Sequence, residues 1–427
     1  MKVCKYTDSD FASQVDALVN RAEVDFMSQD NTVREILQQV KQNGDAALLE
    51  LTRRFDAHDL PLDRLQVQAE EIQQAYRHVK PEEVDALKLA AENIRAYHKR
   101  QVQESWEYRK GDVLLGQIIR PLAIAGIYVP GGKASYPSSV LMNAIPARVA
   151  GVERIVMCSP APKGEFSPHA LVAADIAGVT EIYKVGGAQA VAAMAFGTGV
   201  IPRVDKIVGP GNIYVALAKR MVFGAVDIDM IAGPSEILIV ADDTARADFI
   251  AADLLSQAEH DEEAVTVLVT PSEQLAKAVE GELAKQKKRM KREAIIDESL
   301  NNHCFLLVAA SLENAIDLAN RIAPEHLELA VDNAEAWAKK IRNAGAIFLG
   351  HYTPEALGDY IAGPNHVLPT SGTARFSSPL GVYDFIKRTS LIGYSREELE
   401  KSEKPVTVLA EMEHLDAHAQ AVRIRGR

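Results

Sequence analysis

Two short stretches of this chain carry side chains able to hold a cation or move a proton. Gln257 and His260 end the segment IDMIAGPSEILIVADDTARADFIAADLLSQAEH, residues 228–260. At i and i+3 of a helix they share one face, where an amide oxygen and an imidazole can serve one metal ion. Ala323-Pro-Glu-His-Leu327 sets the carboxylate of Glu325 beside the imidazole of His326. Such a pair can pass separate protons to and from one substrate. Asp359 and His366 follow among the glycines of GDYIAGPNH, where a mobile loop could carry both into a site, and Glu413 and His418 lie on a helical stretch near the end. Gln257, His260, Asp359, His366 and His418 are therefore candidate metal ligands. Each also has a plain reading, since histidines at helix ends and Glu-His pairs on surface loops are common, and spacing alone does not bring distant groups together.

The elements that must position them change character along the chain. The first hundred residues read as helices. Thr32 to Glu35 spells a capping box ahead of Val33, Ile36, Leu37 and Val40, and Gly44 ends that pattern. Pro81-Glu-Glu is a good helix start. From about residue 121, short apolar runs end in glycine or proline and alternate with helical stretches: Ile124–Val129, Ile155–Met157, Ile182–Val185 and Lys206–Val208. Such alternation predicts a parallel sheet covered by helices, with ligands at the carboxyl ends of the strands. A second set of runs, Glu236–Val240, Ala264–Val269, Phe305–Val308 and Ala346–Leu349, predicts a second α/β unit. From about Leu380 the chain reads as a polar helical tail. No G-x-G-x-x-G fingerprint follows any strand. Gly209-Pro-Gly-Asn212 has two of the glycines, and such turns still offer backbone N–H groups to phosphates. A nucleotide-sized cleft is expected, with the nucleotide unnamed.

The bulk composition is that of a globular protein long enough for two or more domains: 427 residues, 47% hydrophobic and 25% charged. A formal net charge of -12 argues against a nucleic-acid or anionic-membrane partner. The basic run at 286–292 reads as a solvated helix face. Cys4, Cys158 and Cys304 are scattered without a CxxC pair, which fits a reducing compartment. The N-terminal MKVCKYTDSDFASQ lacks the apolar centre of a signal peptide, and no window is apolar enough to span a bilayer, so a cytoplasmic location is expected.

Long blocks of the sequence resemble the histidinol dehydrogenase family, from about Val33 to Val422. They are GIYVPGG, VGGAQAVAAMAFGT, VDKIVGPGN, the 228–260 segment, APEHLEL, GDYIAGPNHVLPT and FSSPLGVYDF. The resemblance implies an α/β fold of two incomplete Rossmann-like parallel-sheet domains, with helical N-terminal and C-terminal extensions used in dimerisation. It divides the chain into a helical arm (1–22), a first α/β domain carrying zinc and the catalytic residues (23–127 and 236–379), an NAD-binding domain (128–235) and a helical dimerisation segment (380–427). One Zn2+ per subunit falls on Gln257, His260, Asp359 and His418. His326 falls in the place of the general base, and Glu325 in that of the residue that activates water. Substrate contacts carry over to Ser235, His366 and Glu413, beside Gln257, His260, His326, Asp359 and His418. NAD contacts map to Tyr128, Gln189 and Asn212. The implied partner is a second copy of the chain, which would bring Glu413 and His418 into the site. The implied reaction takes L-histidinol to L-histidine with two NAD in succession, through a bound aldehyde and without a cysteine nucleophile. The rivals are the same scaffold acting on another small amino alcohol or polyol, a zinc hydrolase, and a binding protein that kept the fold.

Overall fold

The computed structural model describes residues 2–21, 27–56, 59–131 and 136–426. The boundary expected at residues 22/23 and Gly132 of GIYVPGG lie outside them. In chain order the strands are β1 (Lys2–Lys5), β2 (Trp106–Lys110), β3 (Val113–Pro121), β4 (Ile124–Tyr128) and β5 (Arg154–Ser159). Then come β6 (Glu181–Lys184), β7 (Lys206–Val208), β8 (Asp227–Ile228), β9 (Glu236–Ala241) and β10 (Val265–Thr270). The last are β11 (Cys304–Val308), β12 (His326–Ala330), β13 (Ala346–Leu349) and β14 (Ile386–Gly393). They form a parallel six-stranded sheet in the order β1-β11-β10-β9-β12-β13 and a parallel five-stranded sheet in the order β6-β5-β4-β7-β8. An antiparallel sheet, β14-β3-β2, stands apart from both. Helices cover the two parallel sheets, so inner strands such as β9 are buried on both faces and read as unbroken apolar runs (Ile237–Ala241), while the edge strand β13 leaves Ile347 and Leu349 exposed.

Both parallel sheets reverse their strand order at a central strand. In the five-stranded sheet, β5 and β6 lie on one side of β4, and β7 and β8 on the other. A crevice opens at the carboxyl end of such a switch point. Here the loops after β4 and β7 flank it, and they pack closely. Gly209, just after β7, sits at φ +108°, and a Cβ there would lie 2.1 Å from the Tyr128 carbonyl oxygen. Only glycine fits both the backbone angle and that approach.

The division expected for the amino-terminal region is corrected by the packing. The helix Met27–Asp56 packs on the helices Gly187–Phe196 and Ile213–Val222, with Val33, Leu48 and Leu51 in one apolar cluster with Val191 and Leu217. The helices Ala69–His78 and Pro81–Lys99 pack on Pro168–Ala177 and Pro137–Ala150. Residues 27–99 thus cover the five-stranded sheet and not the sheet built from 236–349. The reason is apolar complementarity that periodicity cannot assign to a partner. Thr32 lies inside its helix, whereas Gly44, with non-helical angles (φ 53°, ψ -128°), does break the pattern, so that Met27–Asp56 is two helical stretches joined at a kink. The amino-terminal arm is not purely helical either, because β1 joins the edge of the six-stranded sheet beside β11. Nor is the carboxyl-terminal segment, because β14 pairs along β3 before the helices Arg396–Met412 and Asp416–Arg423. Among the described residues no helix is long and apolar enough to cross a membrane.

Candidate functional site

The pocket forms at the amino ends of β9 and β12, which are neighbours in register, His326 opposite Ile237. β9 begins with Glu236 and β12 with His326. The His326 ring lies with Nδ1 2.9 Å from the Glu236 carbonyl oxygen. A carbonyl only accepts, so Nδ1 carries the hydrogen and Nε2 keeps its lone pair. Nε2 is buried without a hydrogen-bond partner among the described residues, 3.8 Å from Glu355 Oε1 and 3.8 Å from Asp359 Oδ1. Burial lowers the His326 pKa below the ordinary histidine value, with the Asp359 carboxylate and the Glu236 hydrogen bond acting against it. The ring is therefore held neutral, as a base must be.

Glu325 precedes β12. Its Oε2 accepts the Glu236 N–H at 2.8 Å and lies 3.6 Å from His326 Nδ1. Burial pushes its pKa well above the carboxylate range; the Glu236 N–H opposes this, while the Glu236 and Asp359 charges add to it. Glu236 is itself fixed: Arg21 donates to both of its oxygens at 2.5 and 2.7 Å, and the Ser371 N–H donates at 2.9 Å. Ser235 lies half-buried just before β9.

Gln257 sits fully buried in the last turn of the helix Ala247–Ala258. Its amide end faces the Glu355 carboxylate. With nitrogen on that side it donates to Glu355 Oε1 at 2.6 Å and Oε2 at 2.8 Å; the reverse placement would set oxygen against oxygen. His260 lies in the turn just past the helix, its N–H on the Gln257 carbonyl at 3.1 Å, and it is exposed as a residue. Packing around the ring still desolvates it enough to lower its pKa, against the pull of Asp359 and Glu259. Asp359 belongs to the helix Glu355–Tyr360, not to a free loop. His366 follows it, donating from Nδ1 to the Asp359 carbonyl at 3.0 Å, with Nε2 3.4 Å from Ser139 Oγ. Asn365 Nδ2 donates to the Met142 carbonyl at 2.6 Å. Those two links tie the pocket to the helix Pro137–Ala150, which follows β4 in the five-stranded sheet. The site thus lies where the amino ends of one sheet meet the carboxyl-end loops of the other.

Carboxyls are crowded here. The Glu355 N–H donates to Glu328 Oε1 at 2.8 Å, and burial pushes both Glu328 and Glu355 well above the usual range, and Asp253 up to about 6. Among the described residues, Glu325, Glu328, Glu355 and Asp359 make no ion pair with lysine or arginine. His326, Glu355 and Asp359 offer ligand atoms that all lie within 4.8 Å of one another, a group able to hold a cation. Uncompensated buried carboxyls and an unpartnered imidazole nitrogen make a donor set that suits a divalent ion. The group shares only Asp359 with the ligand set expected from the sequence. Glu413, just past the helix Arg396–Met412, and His418, in the helix Asp416–Arg423, are exposed at the carboxyl end on either side of a break at His414 (φ 59°), and neither is joined to the pocket by a hydrogen bond or ion pair among the described residues. Glu355 and Arg21 carried no motif or spacing that marked them in the sequence, and Glu236 and Asn365 lay inside quoted blocks without being singled out.

The three residues expected at a cofactor flank the switch point of the other sheet. Tyr128 ends β4, and its hydroxyl accepts the Gly187 N–H at 3.0 Å. Gln189 is buried in the helix Gly187–Phe196, and its Nε2 has no hydrogen-bond partner among the described residues. Asn212 caps the helix Ile213–Val222, its Oδ1 accepting from the Tyr214 and Val215 N–H groups at 3.1 and 3.2 Å.

Acid–base chemistry asks for a base of fixed tautomer and a carboxyl that can hold its proton, and the ends of β9 and β12 supply both. The protein falls in the class of α/β enzymes. The profile of the histidinol dehydrogenase family matches residues 19–426. Histidinol dehydrogenase of Syntrophotalea carbinolica is 56% identical, with 100% of this chain and 99% of that protein aligned. The Geobacter sulfurreducens protein of the same name is 52% identical over 100% of both. The crystal structure of histidinol dehydrogenase from Elizabethkingia anophelis superposes with a TM-score of 0.93 at 37% identity, covering 100% of this chain and 98% of that one. This chain belongs to the histidinol dehydrogenase family.

Proposed function

We propose that this enzyme oxidises L-histidinol to L-histidine in two NAD-dependent steps, holding the aldehyde between them. The observation that carries the reading is His326: Nδ1 locked on a carbonyl, Nε2 buried, bare and neutral, with Glu325 alongside. Bound zinc would supply a positive centre that orients the substrate's nitrogens, and bound nicotinamide the acceptor of hydride. Gln257, His260 and Asp359 would hold the ion, with His418 contributed by a second copy of the chain. In the first step His326 Nε2 takes the hydroxyl proton as hydride leaves the carbinol carbon. In the second, water adds to the aldehyde while Glu325 takes its proton. His326, having released its first proton, takes one from the resulting diol as the second hydride leaves. The balance is one alcohol, one water and two NAD giving one carboxylate and two NADH, with protons released.

Substrate contacts at Ser235, His366 and, from the partner, Glu413 agree with a pocket walled by imidazole and carboxylate. The switch point flanked by Tyr128, Gln189 and Asn212 supports NAD binding there. Exposed apolar side chains on the carboxyl-terminal helices, Leu409 at 59%, Met412 at 72% and Ile424 at 60%, support a homodimer formed through that segment. Buried cysteines that form no disulfide among the described residues accord with a cytoplasmic enzyme. The test follows NADH absorbance with histidinol, then after chelation and again with zinc restored. Turnover, its loss and its return are expected. Turnover that survives full removal of metal would refute the zinc assignment, and a faster rate with another amino alcohol would refute the substrate.

A further inference from the structure

We propose that Glu355 is a positioning residue that turns the Gln257 amide so that its oxygen, not its nitrogen, faces the cation. The inference rests on the zinc reading above. An amide has two ends of nearly equal shape and opposite polarity, and only the oxygen can donate to a metal. Gln257 is 0% exposed, so water cannot make the choice. Glu355 can. It is 2% exposed, and both of its oxygens lie within hydrogen-bond distance of one end of the amide, at 2.6 and 2.8 Å. With nitrogen on that side the carboxylate satisfies the amide hydrogens and the oxygen points away from it. Hydrogen bonds from outer carboxylates to metal ligands act in this way and hold the ligand's donor atom on the ion.

Glu355 is itself well seated. It is the first residue of the helix Glu355–Tyr360, and its N–H is bonded to Glu328 Oε1 at 2.8 Å. Asp359 comes four residues later on the same helix, one turn along and on the same face. One short helix thus carries the orienter of one proposed ligand and the whole of another. A competing role is direct ligation, because Glu355 also falls in the group with His326 and Asp359. The two roles differ in a measurable way. An orienter acts only through Gln257, whereas a ligand acts whether or not Gln257 is present.

Zinc affinity of the metal-free full-length protein, measured by competition with a chromophoric chelator, separates them. Glu355→Ala and Gln257→Ala are each expected to weaken zinc binding by about 10–100-fold. The double variant should be weaker than Gln257→Ala by no more than about threefold, the coupling expected of one linked unit. Glu355→Gln, which keeps one acceptor for the amide nitrogen, should lose less than Glu355→Ala. Melting temperatures of the metal-free variants report any damage to the short helix separately. Zinc affinity of Glu355→Ala within about threefold of wild type overturns the inference, and so does a double variant whose losses multiply. A wild-type chain that takes up no zinc overturns the zinc reading itself, a result distinct from either.

Discussion

Lys219 and Asp229 form an ion pair whose side chains are 2% and 0% exposed. Both are spent on one turn. Lys219 Nζ donates to the Gly209 carbonyl at 2.8 Å, and the Gly209 N–H donates to Asp229 Oδ2 at 2.7 Å. Asp229 Oδ1 also accepts the Met230 N–H at 2.6 Å. Replacing Lys219 by Met keeps the volume roughly and leaves a buried carboxylate with no counter-charge. Removal of one partner from such a pair costs about 3–5 kcal/mol, a large part of the ~5–15 kcal/mol that holds a domain together. Urea unfolding should show the loss as a lower midpoint. The Gly209 turn leads directly to Asn212, so NAD affinity should also fall, by about tenfold if the turn shifts enough to lose one contact. Lys219→Met with Asp229→Leu removes both charges and should recover most of the stability, while the turn, stripped of both bonds, stays loose. A single variant within ~1 kcal/mol of wild type, or a double variant less stable than the single, would refute the view that this pair holds the turn.

Separate assays with alcohol and aldehyde divide the roles at β12: Glu325→Gln should slow the aldehyde step more than the alcohol step, and His326→Ala should slow both, whereas equal loss in both steps for Glu325→Gln would contradict its role. Cys158 is buried in β5 with its thiol pushed far above the usual range, and burial raises Cys304 to about 11, so neither is a ready thiolate. Cys158→Ala and Cys304→Ala should keep turnover within a few-fold, and a thousandfold loss of aldehyde oxidation in either would restore a covalent route. His98 is fully buried, and burial lowers its pKa against the Ile94 and Leu380 carbonyls. The unfolded chain therefore binds a proton below about pH 6.5 that the folded chain resists, and stability falls from there down to the lowered folded value. His98→Leu should flatten that part of the fall in melting temperature between about pH 7.5 and 5.5. An unchanged slope would count against His98 as its source.

The apolar strands were legible because burial on both faces leaves an unbroken signal. Lys206–Val208 and Ala346–Leu349 coincide with β7 and β13, and the other runs differ by a residue or two. β12 was not legible as a strand. His326 and Glu328 interrupt HLELA with polar groups that the fold buries, so the residues that make the site also hide the element that carries them. β14, KRTSLIG after its first isoleucine, is largely exposed and pairs only on the small antiparallel sheet, so it shows little apolar alternation. The motif residues marked the pocket, and His326, Glu325, Asp359, Gln257 and His366 do gather there. Their supports were silent. Arg21 reaches Glu236 across 215 positions, and Glu355 reaches Gln257 from the start of another helix. Such contacts come from topology, and neither period nor spacing records topology. The place of residues 27–99 was silent for the same reason: an amphipathic face declares that it will be covered and not by what.

Arg21 also gives the chain's opening segment a stake in the chemistry. Its guanidinium joins Glu236 to the Leu18 and Ile322 carbonyls, and Glu236 supplies both the carbonyl that sets the His326 tautomer and the N–H that meets Glu325. A fragment that starts after residue 21 would keep every motif and most of both parallel sheets, yet the Glu236 carboxylate, which it would leave to the Ser371 N–H alone, would lose its counter-charge beside the proton acceptor. Two natural variants alike from residue 27 onward could thus differ in how sharply that imidazole is aimed, a dependence that inspection of the conspicuous blocks alone would overlook.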